Sequence, residues 1–399
     1  MSRPNSRKIS WDVVRVVAVF SVLLGHITHQ GPLAHPELDD YPFRDPAQFG
    51  AAALMVISGF FVCQTIRRGG TGRWLWHKIA RLLPPYVIAV VITYVAMRFA
   101  GAAFNGQSFG SGWFGTFFGP TADGRAWASS WYVPVGQDLL VNLSMVQGWN
   151  RSFIWLDGSY WTLPVQLMVF SGAAILWARV RGTRRVQLLA WGLVVLPLVI
   201  RFVVIGVDNP APWAYSVVFG FGLHRMHAFA AGIGIWLWSR GRMGRWQLGF
   251  LLAAVVGAQD LHGYPDGAAR LPSDIGFAVL LLVICAAAKG RDWTFLRPLA
   301  PAFGRLAGIS YGVYLAHQEL GYILARLLLD AGFPGWVRLP VLLTAAVLAG
   351  WLLTTLVERP AHSLLTRPRR TVPSPRTAPD DLLPAPVSSP APGFVGGPS

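Results

Sequence analysis

Apolar runs near the length of a bilayer crossing recur along this 399-residue chain, separated by short polar connections. A helix needs roughly 20 predominantly apolar residues to span the hydrocarbon core. Ten runs approach that length: 11–29, 48–66, 84–101, 161–179, 186–206, 224–239, 244–259, 273–289, 308–329 and 337–357. They predict an all-α polytopic integral membrane protein of about ten transmembrane helices. The connections test the count. Arg3, Arg7 and Lys8 precede the first run, and Arg67, Arg68, Arg73, Lys78 and Arg81 follow the second. Arg179, Arg181, Arg184 and Arg185 follow the fourth, Arg240, Arg242 and Arg245 the sixth, and Lys289, Arg291, Arg297 and Arg305 the eighth. Arg359, Arg367, Arg369 and Arg370 follow the tenth. The alternate connections hold Glu37, Asp39, Asp40, Asp123, Asp157, Asp208, Asp260 and Asp266, with few basic residues. Basic loops mark the cytoplasmic side, so the pattern predicts both termini inside.

Three segments follow. Residues 1–10 are a short cytoplasmic N-terminus, 11–360 the transmembrane domain, and 361–399 a Pro-rich tail read as disordered. The longest outer connection, about 101–160, is rich in Gly, Ser and Trp. Its partly apolar stretch from Trp131 to Trp149 contains Pro134, Gly136, Asp138 and Asn142, which suits an interfacial or re-entrant element better than a span.

Composition agrees. The chain is 53% hydrophobic and 13% charged, with mean hydropathy +0.45, against about 25% charged for soluble domains. The net charge of +16 sits in clusters between apolar runs, which argues against nucleic-acid binding. Cys63 and Cys285 fall inside apolar segments and suggest neither a disulfide framework nor a metal site. The first run lacks a small-residue cleavage site and is read as a retained helix.

The polar residues that remain inside apolar runs carry the chemistry. Arg15 and His26 lie on the first run. Eleven residues come to about 20° past three full turns, so the two share a face and stand ~16 Å apart along the axis. Asp12 can pair with Arg15 from i−3. Membrane-embedded charge is a functional hypothesis by default; the plainer reading is an arginine reaching lipid phosphates and an interfacial histidine. Trp161, Thr162, Gln166, Arg225 and His227 fall at outer ends. Ser310, Tyr311, Tyr314, His317 and Glu319 belong to the ninth run. Counting along a continuous helix puts His317 ~10 Å in from Ser310, near Arg15 in depth. Glu319 needs a partner, with Arg326 or Arg201 the candidates. Ordinary packing would equally explain Tyr314 and His317, and inner-leaflet electrostatics the Arg67–Arg81 cluster. Glu358 is read as a structural partner of a basic neighbour. No His-Glu-x-x-His, nucleophile elbow or phosphate-binding Gly loop occurs. Group transfer from a cytoplasmic anionic donor to an outer acceptor, or translocation of a polar or anionic substrate, both fit; chemistry would rest on histidine as general base.

Seven motifs, in order from residue 9 to about 360, resemble those of the bacterial acyltransferase-3 family of membrane O-acyltransferases. They are Arg15 with His26 ten residues between; MVISGFFV from Met55; KIARLLPPY from Lys78; SYWTLPVQ from Ser159; RMHAFAAG from Arg225; ISYGVYLAH from Ile309; and VERP from Val357. The resemblance implies transfer of an acetyl or other short acyl group from cytoplasmic acyl-CoA, a co-substrate rather than a bound cofactor. The acceptor would be a hydroxyl of a carbohydrate or natural product, in a bacterial plasma membrane. It implies His26 as the base, Arg15 as the residue that stabilises the donor or orients the site, and Gln166 at the position of the family's catalytic-motif Glu. Lys78, Arg81, Tyr311, Tyr314 and His317 would serve the donor, and Trp161, Thr162 and Arg225 the acceptor side. No metal is implied. Two departures stand out. Gln166 and Thr162 replace the family's Glu and Ser, and glutamine can accept a hydrogen bond but not a proton. Lys78 stands where Arg is common, without the bidentate fork. Gln166 keeps a transporter or flippase of an acylated or anionic substrate in play, and a scaffold subunit of envelope assembly is a third possibility. The acceptor, acyl chain length and oligomeric state are not legible in the sequence.

Overall fold

The apolar runs become helices because a backbone in hydrocarbon must satisfy its hydrogen bonds internally. The computed structural model describes residues 8–66, 70–122, 131–180, 182–205, 211–263 and 268–367. Arg3, Arg7, Arg67, Arg68, Asp123, Arg181, Asp208, Asp266, Arg369, Arg370 and the tail beyond lie outside them. Among the described residues there is no strand, only an isolated bridge between Phe109 and Thr121.

We number the principal helices α1 (Ile9–Gly25), α2 (Gly50–Thr65), α3 (Thr71–Asn105), α4 (Gly112–Phe117), α5 (Gly136–Leu143), α6 (Thr162–Val180) and α7 (Thr183–Ile200). Then come α8 (Met226–Ser239), α9 (Arg245–His262), α10 (Arg270–Lys289), α11 (Ala300–Ala316), α12 (Glu319–Asp330), α13 (Gly335–Leu353) and α14 (Arg359–Leu365). Six stretches are long and apolar enough to cross a membrane: Ile9–Ala34, Thr71–Asn105, Gly158–Val180, Thr183–Val204, Arg270–Lys289 and Gly335–Leu365. Gly50–Thr65 is a shorter apolar helix. The protein is thus a multi-pass membrane protein. The expected sixth, seventh and ninth spans are helical but shorter than those six. Helix α8 is short because it runs through the protein's interior: every residue from Met226 to Leu237 is buried. It packs chiefly on α2 and α7. Gly59 makes the α2 crossing possible, since a Cβ there would lie 2.7 Å from the Phe229 carbonyl oxygen.

Two boundaries differ from the sequence reading. Helix α3 begins at Thr71, so Lys78 and Arg81 ride on a helix rather than in a loop. Its Pro84 and Pro85 interrupt the hydrogen-bond ladder. Two residues before Pro84 the Leu82 carbonyl accepts from the Tyr311 hydroxyl at 2.8 Å. The ninth run is not one helix: it starts at Ala300 and breaks at His317–Gln318 into α11 and α12. The break has a cause far away in sequence. Asp157 Oδ2 accepts from the Glu319 amide at 3.0 Å and so caps α12. Its Oδ1 takes the Ser159 amide at 2.8 Å.

The long connection is held by α3. Arg98 is fully buried and donates to the carbonyls of Gly115, Thr116, Gly119 and Pro134. Asp138 starts α5 by accepting from the Val135 amide at 2.9 Å. The α1 end is capped likewise: Asp292 accepts from the amides of Ile9 and Ser10 at 3.2 and 3.1 Å.

Candidate active site

Two polar chambers lie along α1, and Ala51 lines both. The first, about 150 Å³, contains Arg15, Lys78, Arg81, Thr162, Gln166, Ser310, Tyr311 and Tyr314. The second, about 310 Å³, contains His26, Gln30, Gln48, Trp161, Arg225, Gln259 and Gln318. The helical rise separates them. Regular α-geometry runs from Ile9 to Gly25, then gives way to a π-helical turn at His26–Gln30, where the Gly31 amide reaches back to the His26 carbonyl. Such turns insert a residue and redirect the side chains after them.

The first chamber is cationic. Arg15 enters from α1, and Lys78 and Arg81 from the first turns of α3. Lys78 Nζ stands 5.7 Å from the Trp74 ring centre and 5.4 Å from that of Phe170. Arg81 donates through Nε to Glu358 at 2.9 Å, which identifies the basic neighbour of Glu358. The tyrosines wall the chamber, but their hydroxyls are engaged: Tyr311 with the Leu82 carbonyl, and Tyr314 with the Ser159 carbonyl at 3.0 Å. Gln166 accepts from Ser58 Oγ at 3.4 Å.

The second chamber is neutral except for Arg225, whose guanidinium lies 4.7 Å from the Trp161 ring centre. Its defining contact joins two histidines. His317 Nε2 lies 2.9 Å from His26 Nδ1, and His317 Nδ1 lies 2.8 Å from the Tyr314 carbonyl. The imidazole planes differ by 21° with centres 4.9 Å apart. With the nitrogens that close, the rings meet edge to edge rather than face to face. A carbonyl oxygen only accepts, so His317 Nδ1 carries the hydrogen. In a neutral His317, Nε2 is then the acceptor, and His26 Nδ1 must donate to it. Neutral His26 is left with its lone pair on Nε2.

These contacts sort the residues singled out by sequence. Arg15, Lys78, Arg81, Tyr311 and Tyr314 come together in one chamber. Trp161 and Arg225 come together with His26 in the other. Thr162 and Gln166 line the Arg15 chamber rather than meeting His26. His317, expected near Arg15 in depth, stands against His26, because α11 begins eight residues before the expected start of the span and ends at the break. Glu319 does not draw Arg326, which pairs with Glu37 at 3.1 Å and Asp330 at 2.8 Å. Gln30, Gln48, Gln259 and Gln318 are not singled out by the sequence. Their signal is weak, since amides at helix ends resemble interfacial residues. Asp157 stands out in the sequence only as a loop charge. Burial pushes its carboxyl up to about 6, against the hydrogen bonds from Ser159 and the Glu319 amide. Among the described residues no group of histidine, cysteine or carboxylate side chains could hold a metal ion.

A helical membrane protein with a cationic chamber and a histidine chamber on one helix has the parts of an intramembrane group-transfer enzyme. A family model described as an acyltransferase domain matches residues 8–355. The chain belongs to this family, acyltransferase-3, and is a membrane acyltransferase. No curated protein and no solved structure matches it.

Proposed function

We propose that the protein O-acylates a carbohydrate or glycosylated natural product, using a short-chain acyl-CoA such as acetyl-CoA. Arg15, Lys78 and Arg81 support the donor assignment, because a cluster of cations offsets phosphate charge. In this reading the cationic chamber faces the cytoplasm, both termini are cytoplasmic, and the membrane is a bacterial plasma membrane. The acceptor hydroxyl enters the chamber of His26, Trp161 and Arg225, where amide side chains offer both donors and acceptors.

The observation that carries the reading is the hydrogen-bond chain from the Tyr314 carbonyl through His317 to His26. It leaves His26 Nε2 free to take the acceptor's hydroxyl proton. The resulting oxygen attacks the thioester carbonyl. The tetrahedral intermediate collapses, the C–S bond breaks, and the CoA sulfur leaves with the proton held by His26. His317 supports the imidazolium formed in between by accepting from Nδ1, as a hydrogen-bonded partner does in other histidine bases. General-base assistance of this kind contributes ~10²–10⁴-fold. The test is transfer of labelled acyl groups by reconstituted His26→Ala protein, with binding of the donor measured alongside. Loss of transfer with retained binding is expected; undiminished transfer removes His26 from the mechanism.

Gln166, in place of the family's carboxylate, favours a second reading. In it the same fold moves an acylated or anionic substrate across the membrane without acyl transfer. A transporter releases no free CoA, so thioester consumption separates the two.

A further inference from the structure

A third cavity, about 270 Å³, lies on a different face of α2 from the Arg15 chamber, between α6 and α7. Its lining, including Gly59, Gly172, Leu176, Trp177, Val186 and Leu189, contains no charged residue, no amide and no hydroxyl. The gap follows from how the helices pack. Helix α6 packs mainly on α3 and α7 mainly on α8, so these neighbours in sequence barely touch. The α2–α8 crossing at Gly59 closes the back. Ile175 and Leu188, each next in sequence to a lining residue, Leu176 and Leu189, are exposed. Along α6 it extends from Met168 to Val180, ~18 Å of helix rise.

One end is marked by charge. Arg179 directly precedes the lining residue Val180, and Arg184 and Arg185 directly precede Val186; all three arginines are exposed. Arg185 donates to the Arg179 carbonyl at 2.7 Å, which keeps the group at this end. No acidic residue occurs from Thr162 to Ile205. An apolar slot along α6, flanked by exposed apolar side chains and ending at exposed arginines with no acidic residue on either helix, matches one chemistry: a hydrocarbon chain carrying an anionic head.

We propose that this cavity is a binding site for an anionic glycerophospholipid. One acyl chain lies between α6 and α7, and the phosphate rests against Arg184 and Arg185. The site is separate from both polar chambers and does not depend on the acyl-transfer reading.

Gly172 offers the test. A Cβ built there meets nothing within 4 Å, so Gly172→Phe fills the slot without a clash in its first atom. Full-length protein is purified in mild detergent, exposed to vesicles of equal phosphatidylglycerol and phosphatidylethanolamine, and read by native mass spectrometry. Wild type is expected to retain about one phosphatidylglycerol per chain, and Gly172→Phe to lose it. Arg184→Gln with Arg185→Gln, both at exposed positions, is expected to weaken phosphatidylglycerol about thirty-fold, at roughly fivefold per basic residue near a membrane surface, and to leave phosphatidylethanolamine unchanged. If Gly172→Phe does not fold, the arginine pair decides. Retention of phosphatidylglycerol by both variants, equal retention of the two lipids by wild type, or recovery of detergent alone overturns the proposal.

Discussion

His317 Nε2 meets His26 Nδ1 at 2.9 Å, while its own Nδ1 meets the Tyr314 carbonyl at 2.8 Å. The backbone of α11 thereby sets the tautomer of the side chain that directly follows α1. In the proposed mechanism His317 acts through His26 as a positioning residue. His317→Leu removes the acceptor for Nδ1 and lets the imidazole turn. We expect kcat to fall by ~10²-fold or more, within the span of general-base effects, with KM for the donor little changed. His317→Gln keeps an acceptor oxygen and is expected to recover part of kcat. Steady-state kinetics on the pair checks this; equal losses, or a change confined to KM, would contradict the relay.

That relationship also shows where the sequence stops being informative. The separation of Arg15 and His26 is readable because Arg15 lies on regular α1 and His26 directly follows its last residue, so sequence spacing converts into a rise between the two chambers. The grouping of Lys78 and Arg81 with Tyr311 and Tyr314 comes from the family resemblance, and the structure brings the four into one chamber. The position of His317 is not, because it depends on a helix break made by Asp157, some 160 residues earlier. Sequence periodicity carries no trace of a cap supplied from another segment. The amide-lined chamber is hidden for a similar reason: Gln30, Gln48 and Gln318 sit at ends of different elements and meet only in the fold. Six spans are readable as apolar runs, but the buried α8 is apolar on nearly all sides for its protein neighbours and so mimics a lipid-facing helix.

Gln166 lines the cationic chamber and bonds Ser58, not His26. A carboxylate there would face Arg15 and Lys78, the donor side of the proposed mechanism, rather than His26. Gln166→Glu is expected to leave kcat near wild type and to raise KM for acyl-CoA, since it adds negative charge beside Arg15 and Lys78. A large rise in kcat would show that the base lacks its carboxylate.

Arg81 has two duties, because it faces the cationic chamber and pairs with Glu358, whose side chain is only 7% exposed. Arg81→Gln is expected to raise KM for the donor and to destabilise the fold by about 1–3 kcal/mol, the cost of a buried group left without its partner. Adding Glu358→Gln should restore most of the stability without restoring donor affinity. Thermal unfolding and donor titration of the single and double variants separate the two effects.

Asp157 provides a pH signature. Its carboxyl is held up to about 6 by burial, above the 3.8 of a freely solvated aspartate. A raised carboxyl favours the protonated form in the folded state. Its contribution to stability is full below pH 3.8 and lost as pH rises through about 6. The loss is on the order of 3 kcal/mol. Thermal unfolding of wild type and Asp157→Asn between pH 4.5 and 7.5 should show wild type losing ground to the variant as pH rises. Parallel curves would contradict this account of the loop.

The most direct test of acyl transfer through His26 is a single-turnover experiment on the reconstituted protein. Acyl-labelled CoA and a candidate glycan acceptor are mixed with wild type and with His26→Ala, and free CoA and acylated product are counted together. Wild type is expected to release one CoA for each acylated acceptor, and His26→Ala to bind the donor and release neither. Movement of labelled substrate across the membrane by wild type without thioester cleavage, or equal product from His26→Ala, would contradict it.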